Sequence, residues 1–265
     1  MSWNLVRKTI SDRWRGTVFY AAGIAAYVLM MAAIFPSIEK IERIQEIVDK
    51  YPENLFRFFG VEKIDMGNWN NYLTVEFLGL IVVIIIGAFV FSFARSITAG
   101  ELKDGTLELL LAQPVERWKV LVSKGLVLVA GIVALVLTIV LSVYAFGSAF
   151  KVGVSYTGFL AYLPLASALF ISIAGYSVLL TVILPNRGVM AAVGLTLAFY
   201  LVNFAASGSR SLDKLKYFTI FHYYDPVRTL ESGTLAVRDT LVLLAAGLIC
   251  LAAAVRVFQR KDIIL

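Results

Sequence analysis

The hydrophobic and charged positions of the chain separate into long apolar runs with short charged segments between them. Six runs contain no charged side chain: 16–38, 77–94, 125–150, 152–186, 188–209 and 240–255. A helix rises about 1.5 Å per residue, so about 20 residues cross the roughly 30 Å hydrocarbon core of a bilayer. The pattern therefore predicts an all-α, polytopic membrane protein with six transmembrane helices.

Turn residues and flanking charges indicate where these six predicted spans end. We expect spans at about 17–36, 73–94, 120–147, 159–184, 188–206 and 239–257. Gly and Ser residues at 153–158 predict an exit loop, and Pro185 with Asn186 predicts a tight turn before the fifth span. The sixth run has only 16 residues between Asp239 and Arg256, so these two side chains must extend to the interfaces for it to cross.

Lys and Arg residues predict the orientation, because they concentrate on the cytoplasmic side of membrane proteins. With the N-terminus in the cytoplasm, the inner segments hold 13 of the 24 basic residues and 6 of the 18 acidic residues. The net charge is then +7 on the inner side and −1 on the outer side. This distribution predicts that both termini are cytoplasmic, that 37–72 and 207–238 are outer loops, and that 95–119 is a cytoplasmic loop.

Three segments outside the predicted spans have patterns of their own. Residues 3–15 predict an N-terminal amphipathic helix at the inner interface, with basic side chains at Arg7, Lys8, Arg13 and Arg15. Loop 37–72 has apolar residues at helical spacing, which predicts an amphipathic helix near the outer interface. Loop 207–238 has an aromatic cluster, which is expected to lie against the membrane or to cap the helices. The cluster consists of Tyr217, Phe218, Phe221, Tyr223 and Tyr224.

The composition excludes several classes of protein and site. With 60% hydrophobic residues, 16% charged residues and a mean hydropathy of +0.83, the chain is too apolar for a soluble domain or a disordered segment. The single cysteine, Cys250, excludes an intramolecular disulfide. The only histidine, His222, lacks companions at metal-ligand or catalytic spacing, so we predict neither a metal site nor a catalytic group. Glu76 lies near enough to the outer interface to be solvated, although an acid within a span can also mark a transport path.

The most informative stretch lies in the predicted cytoplasmic loop. Residues 99–117 read Ala-Gly-Glu-Leu-Lys-Asp-Gly-Thr-Leu-Glu-Leu-Leu-Leu-Ala-Gln-Pro-Val-Glu-Arg. Asp104 and Gly105 are a turn signal, and good helix formers follow them at once. Pro114 suits the first position of a further helix. The pattern predicts a short coupling helix that lies parallel to the membrane and faces the cytosol, where a soluble partner can contact it.

This motif resembles that of permease subunits of type-2 ATP-binding-cassette (ABC) exporters. Other elements are similar to the same family: 51–60 resembles its Pro- and Leu-containing segment that ends in Gly, and 221–226 its aromatic Asp-Pro element. Residues 258–263 resemble its Phe-x-Arg-Arg-Asp-Leu tail, with Lys261 in place of an Arg. The resemblance covers most of the chain. It implies six-helix subunits that pair around a translocation pathway and bind cytoplasmic ATPase subunits through the loop between spans two and three.

The resemblance also implies which residues contact partners. Contacts with the ATPase are expected at Gly100, Glu101, Asp104, Gly105, Thr106, Leu107, Glu108, Pro114 and Arg117. A candidate outer gate comprises Phe221, His222, Tyr223, Tyr224, Asp225 and Pro226. The implied partners are two copies of the ATPase, a second permease subunit and membrane lipid, with no nucleic acid. The implied location is the plasma membrane of a bacterium or archaeon.

Hydrolysis of ATP is expected from a partner polypeptide. The chain has no Gly-x-x-x-x-Gly-Lys-[Ser/Thr] phosphate-binding loop, so we predict that it is not an enzyme and binds no cofactor. ATP and magnesium are expected on the partner ATPase instead.

Two other functions stay open from the sequence. An ion-coupled secondary transporter needs polar or charged residues at mid-membrane, and an intramembrane enzyme needs paired acids, histidines or a Ser/Lys pair within its spans. The predicted spans carry apolar residues at these depths, which disfavours both. The uncharged spans suit an amphipathic, lipid-like or hydrophobic cargo, and the choice between homodimer and heterodimer stays open.

Overall fold

The structure, a computed structural model, describes residues 3–39, 68–103, 117–208 and 213–260 of the 265-residue chain. Within these ranges it contains helices and no strand. The α-helices are α1 (Trp3–Glu39), α2 (Trp69–Leu73), α3 (Ile81–Lys103), α4 (Arg117–Ala149), α5 (Tyr156–Ile183), α6 (Gly188–Gly208), α7 (Pro226–Ser232) and α8 (Val237–Arg260). A π-helix (Thr74–Leu78) follows α2, and two 3₁₀ helices (Asp213–Phe218 and Ile220–Tyr223) precede α7.

Most of these helices are long and apolar enough to cross a membrane. In the described ranges, α1, α4, α5, α6 and α8 each pass this test, and α2 to α3 passes it as one bent pair. The described residues therefore hold five spans, or six if the bent pair is one span. The prediction of an all-α, polytopic membrane protein is confirmed.

Contacts between helix ends establish which ends lie together. The ring of Phe35 in the last turns of α1 packs edge-on against Trp69 in α2, with 5.2 Å between centroids. The side-chain oxygen of Asn70 accepts a hydrogen bond of 3.3 Å from the backbone N–H of Ser155, just before α5. We call this end of the bundle the aromatic end. The opposite end, where α1 begins, is the basic end.

Helix α5 forms the centre of the bundle. Most of its side chains are buried, whereas α1, α6 and α8 each bury a smaller part of their surface. The hydroxyl of Ser155 caps its first turn by accepting a hydrogen bond from the backbone N–H of Gly158 at 3.3 Å. The helix consequently begins at Tyr156, and the exit loop predicted at 153–158 is shorter than expected because Ser155 supplies an N-cap.

Helix α8 packs along α5 through two glycines. A Cβ atom on Gly247 would lie 2.7 Å from the carbonyl oxygen of Ile171, and one on Gly175 would overlap the backbone of Gly247. The hydrophobic effect does not drive helices together inside lipid, so this close backbone approach provides the van der Waals contact that holds the pair. The buried residues of α8 are Thr240, Leu243, Gly247 and Ala254.

Helix α1 differs from the predicted arrangement of an interfacial helix followed by a separate span. It runs without interruption from Trp3 to Glu39, so the basic segment and the first span are one element of 37 residues. No turn residue other than Gly16 separates them, and the hydroxyl of Thr17 donates to the carbonyl of Arg13 across the junction at 3.2 Å. A helix of this length extends about 55 Å, so it is longer than the hydrocarbon core.

The second predicted span, 73–94, is bent. The π-helix and a turn at Gly79 and Leu80 separate α2 from α3, and the two halves meet at 41°. The backbone N–H of Gly79 donates to the carbonyl of Thr74 at 2.9 Å, which is the i→i+5 bond of a π-helix. The interruption changes which side chains face outward at this end of the span.

The loop predicted at 95–119 is shorter in the structure. Helix α3 continues to Lys103 and α4 begins at Arg117, because no strong helix breaker precedes the Asp-Gly pair at 104–105. Residues 104–116, which contain most of the predicted coupling helix, lie outside the described residues. So do residues 40–67, which contain most of the amphipathic helix predicted in the first outer loop.

Candidate functional site

A buried chain of hydrogen bonds crosses the aromatic end of the bundle. The hydroxyl of Tyr224 donates to the backbone carbonyl of Leu78 at 2.9 Å. The hydroxyl oxygens of Tyr224 and Tyr162 lie 3.0 Å apart, and Tyr162 is the donor because the Tyr224 proton is already engaged. Tyr162 is fully buried and Tyr224 is 8% exposed. These hydrogen bonds join the segment before α7 to the second turn of α5 and to the interruption in span two.

Tyr224 belongs to a segment that covers this end of the bundle, residues 220–232, which we call the aromatic cap. Burial raises the pKa of the Tyr224 hydroxyl well above its ordinary value of 10.0. The phenol is therefore protonated across the physiological pH range and acts as a permanent donor. Only a polar acceptor held at the same depth can satisfy it, and the carbonyl of Leu78 fills that role.

Asp225 begins the short helix α7 within the aromatic cap. Its carboxylate accepts a hydrogen bond of 3.0 Å from the backbone N–H of Arg228, and Pro226 occupies the first turn. Burial raises the pKa of the Asp225 carboxyl above its ordinary value, while the N–H and the charge of Arg228 act in the opposite direction. Gly233 ends the helix in the left-handed conformation, with φ of 62°.

Helix α7 rests directly on the start of α5. The hydroxyl of Ser155 donates to the carbonyl of Leu230 at 3.2 Å. A Cβ atom on Gly158 would lie 2.7 Å from the same carbonyl oxygen, so glycine allows the two backbones to approach this closely. Because Asn70 binds the N–H of Ser155, the cap is linked to α2 through the same residue.

Aromatic rings complete the cap on the side of α6. The ring of Phe221 is buried and meets that of Tyr200 edge-on, with 5.3 Å between centroids. The ring of His222 lies 4.6 Å from Tyr217 and 5.0 Å from Tyr223. Edge-to-face pairs of this kind add to the free energy gained from burial alone. Among the described residues, no group of three or more His, Cys, Asp or Glu is placed to hold a metal ion.

Basic and indole side chains gather at the opposite end of the bundle. Arg7, Lys8 and Arg15 are exposed, and the guanidinium of Arg13 lies 5.5 Å from the centre of the Phe93 ring in α3. The nearby indoles of Trp3 and Trp14 are 71% and 51% exposed. Basic and Trp side chains together favour the headgroup level of a membrane, so this end carries the features of an interfacial surface.

Comparison with protein families identifies the architecture. Residues 3–263 match the model of the ABC-2 family transporter protein. The chain belongs to the ABC-2 transporter family. It is accordingly a membrane permease subunit of an ABC transporter. No curated protein and no solved structure matches the chain.

The predicted coupling residues of this ABC-2 permease flank the basic end. Gly100 and Glu101 belong to the last turns of α3, and Arg117 is the first residue of α4. The end of α3 and the start of α4 therefore lie at the same end of the bundle as the start of α1. The remaining predicted contacts lie outside the described residues: Asp104, Gly105, Thr106, Leu107, Glu108 and Pro114.

The structure brings the six predicted gate residues of the permease, 221–226, into one cap, but it adds partners that sequence reasoning missed. Tyr162 lies in an apolar run where its hydroxyl needs a partner, and that need was the available signal. The carbonyl of Leu78 becomes an acceptor at the interruption in span two, which no sequence pattern announced. Asn70 precedes that span as one of several polar residues, and its contact with Ser155 depends on the fold.

Proposed function

We propose that this ABC-2 permease pairs with a second, identical or homologous permease to form the translocation pathway of an ATP-driven exporter. The family match over 3–263 carries this proposal. The basic end faces the cytoplasm, together with both termini, in the plasma membrane of a bacterium or archaeon. The exposed Arg7, Lys8 and Arg15 at this end support that orientation.

Two ATPase subunits bind the permease at the loop between α3 and α4. ATP and magnesium reside on those subunits, because this chain has no phosphate-binding loop. Support comes from the two helices that flank the loop, which have 23 and 33 residues and extend from the basic end toward the aromatic end. A displacement at the loop is thereby carried along α3 to the interruption in span two.

The aromatic cap acts as the outer gate of the pathway. Support comes from the hydrogen bond between Tyr224 and Leu78, which connects the cap to the interrupted span that leads to the coupling loop. Single π-helical turns that interrupt an α-helix occur frequently at functional sites. In this mechanism, a change in the bend of span two breaks the contact with Tyr224 and releases the cap from α5.

Co-purification with an ATPase tests the proposed function. The tagged permease is extracted from its native host in a mild detergent, and mass spectrometry identifies the proteins that accompany it. We expect a stoichiometric protein with a phosphate-binding loop, and either one permease species or two. Repeated recovery of the chain alone as a stable monomer would contradict the proposal.

Charge reversal tests the site of ATPase binding. Glu101→Lys at the end of α3 is expected to reduce recovery of the ATPase while membrane insertion and thermal stability are retained, and Gly105→Leu is expected to do the same. Glu231→Lys makes an equal charge change on the exposed surface of α7 and serves as the control. If Glu101→Lys and Gly105→Leu both retain the ATPase and transport, the assignment of the coupling loop is wrong.

A further inference from the structure

The structure divides the aromatic cluster of loop 207–238 into a buried part and an exposed part. Phe221 and Tyr224 are buried in the aromatic cap, whereas Tyr217 and Phe218 are 54% and 81% exposed. The two exposed rings end the first 3₁₀ helix, Asp213–Phe218. Exposed apolar surface of this kind marks a site of interaction with a partner or a membrane.

The 3₁₀ helix has two exposed stripes of different character. Side chains three residues apart align in a 3₁₀ helix, so Leu215 and Phe218 form one stripe, and Lys214 and Tyr217 form the other. Leu215 is 45% exposed, and Lys214 is exposed without an ion pair to another described residue. An apolar stripe beside a stripe of lysine and tyrosine is typical of a segment at a membrane interface.

Contacts with α6 establish the depth of this helix. Thr219 follows it directly, and the Thr219 hydroxyl lies 3.2 Å from the side-chain oxygen of Asn203. Asn203 lies inside the candidate span Gly188–Ala206, three residues or about 4.5 Å before its end. The ring of Phe221 meets that of Tyr200, which is almost one turn deeper in the same helix. The chain at 218–221 therefore lies below the end of the span.

Lipid is the environment that fits this depth. The 19 residues of the candidate span extend about 28 Å, so nearly all of them are needed to cross a hydrocarbon core of about 30 Å. Leu201 and Phe204, on either side of Asn203, are also exposed apolar side chains. The backbone suits the same level, because the N–H of Thr219 donates to the carbonyl of Lys216 at 3.0 Å and is thereby satisfied without water.

The 3₁₀ helix is attached to the aromatic cap through Tyr217. The carbonyl of Tyr217 accepts a hydrogen bond of 3.1 Å from the hydroxyl of Tyr223, and its ring lies 4.6 Å from that of His222. A contact that holds the 3₁₀ helix in the membrane therefore also restrains this side of the cap.

We propose that the 3₁₀ helix Asp213–Phe218 anchors the aromatic cap in the lipid leaflet at this end of the bundle. Phe218 and Leu215 insert among the acyl chains, and Lys214 and Tyr217 extend to the headgroups. This leaflet is the outer one in the proposed orientation. The anchor goes beyond the proposed function and does not depend on it, because it requires only that α6 crosses a bilayer.

Spin labels and two paramagnetic collision partners test this proposal. Phe218→Cys is made in a Cys250→Ala background, labelled, and placed in lipid nanodiscs as the full-length permease with the proteins that accompany it. Oxygen concentrates in lipid and a nickel chelate stays in water, so power saturation with each reports the surroundings of the label. We expect a several-fold higher ratio of oxygen to nickel collisions for Phe218→Cys than for Glu231→Cys, the control on the exposed surface of α7.

Two kinds of result would overturn the anchor. Nickel collisions at Phe218→Cys as frequent as in the control would show that the 3₁₀ helix lies in water. Infrequent collisions with both partners would show that protein covers it, and spectral broadening that disappears on mixing with unlabelled permease would identify that protein as a second copy. Leu215→Cys, on the same stripe, provides the measurement if Phe218→Cys lowers the thermal stability.

Discussion

The hydrogen-bond chain from Tyr162 through Tyr224 to Leu78 predicts a specific pattern of stability changes. Tyr224→Phe removes the hydroxyl that both donates and accepts, so the Leu78 carbonyl and the Tyr162 hydroxyl lose their partners. Each unsatisfied buried group costs about 1–3 kcal/mol in soluble proteins, and hydrogen bonds between membrane helices tend toward the lower end. We therefore expect Tyr224→Phe to lower the free energy of unfolding by about 2–3 kcal/mol.

Tyr162→Phe is expected to cost less, because it removes one bond and leaves Tyr224 donating to Leu78. We expect a loss of about 0.5–1.5 kcal/mol for this variant alone. In the Tyr224→Phe background, however, the Tyr162 hydroxyl already lacks its acceptor, so its removal deletes an unsatisfied group. The double variant should consequently be no less stable than Tyr224→Phe, which corresponds to an interaction free energy of about 0.5–1.5 kcal/mol.

Reversible unfolding by dodecyl sulfate in mixed micelles, followed by circular dichroism, provides the measurement. Tyr223→Phe is the matched control, since its hydroxyl donates to the carbonyl of Tyr217 at 3.1 Å on the exposed side of the cap. That change is expected to stay within about 0.5 kcal/mol of the parent. Two results would refute the buried chain of hydrogen bonds. The losses in unfolding free energy could be additive in the double variant, or the loss for Tyr224→Phe could be no larger than that for the control.

Two further predictions concern close packing and charge. Gly247→Ala places a Cβ atom 2.7 Å from the carbonyl oxygen of Ile171, so α8 must move away from α5. We expect this movement to lower the free energy of unfolding by about 1–3 kcal/mol. The higher helix propensity of Ala offsets about 1 kcal/mol of that loss. Gly194→Ala in α6 meets no atom within 4 Å and should be neutral or stabilising in the same unfolding assay; equal effects of the two changes would contradict the packing argument. Asp225→Asn keeps an acceptor for the N–H of Arg228 and removes a carboxylate whose pKa is raised by burial. Ionisation of a group with a raised folded-state pKa destabilises the fold as pH increases through that pKa. Asp225→Asn should therefore be more stable than the parent at pH 7 and lose this advantage toward pH 4. Parallel pH profiles of stability for the two proteins would show that the charge is not buried.

The spans were predictable from sequence because a helix in lipid must be apolar over its whole length, which leaves a pattern of charge-free runs. The same uniformity conceals how the helices pack. In α5 nearly every position is apolar, so periodicity does not indicate which face meets α8, and the role of Gly175 emerges only in the structure. Likewise, no proline marks the interruption at Gly79, where the carbonyl of Leu78 accepts its hydrogen bond from Tyr224 in the cap.

The candidate site was predictable where its residues form a contiguous motif and not where they meet through the fold. The aromatic residues at 221–224 identified the cap, because aromatic side chains outside a span indicate an interfacial position. Their partner Tyr162 is some sixty positions away, and no pattern in the sequence pairs the two.

The two kinds of contact in the bundle respond differently to a change of state. The backbones of Gly175 and Gly247 touch directly, so α5 and α8 can slide past each other only if their backbones separate. The cap is held instead by three separable hydrogen bonds, which join Tyr224 to Leu78, Tyr224 to Tyr162, and Leu230 to Ser155. Three such bonds are worth about 3 kcal/mol, and a shift from 1:99 to 99:1 between two states takes about 5.5 kcal/mol. In the proposed mechanism, release of the cap, with α5 and α8 still paired, is the transition that binding of cargo or nucleotide drives.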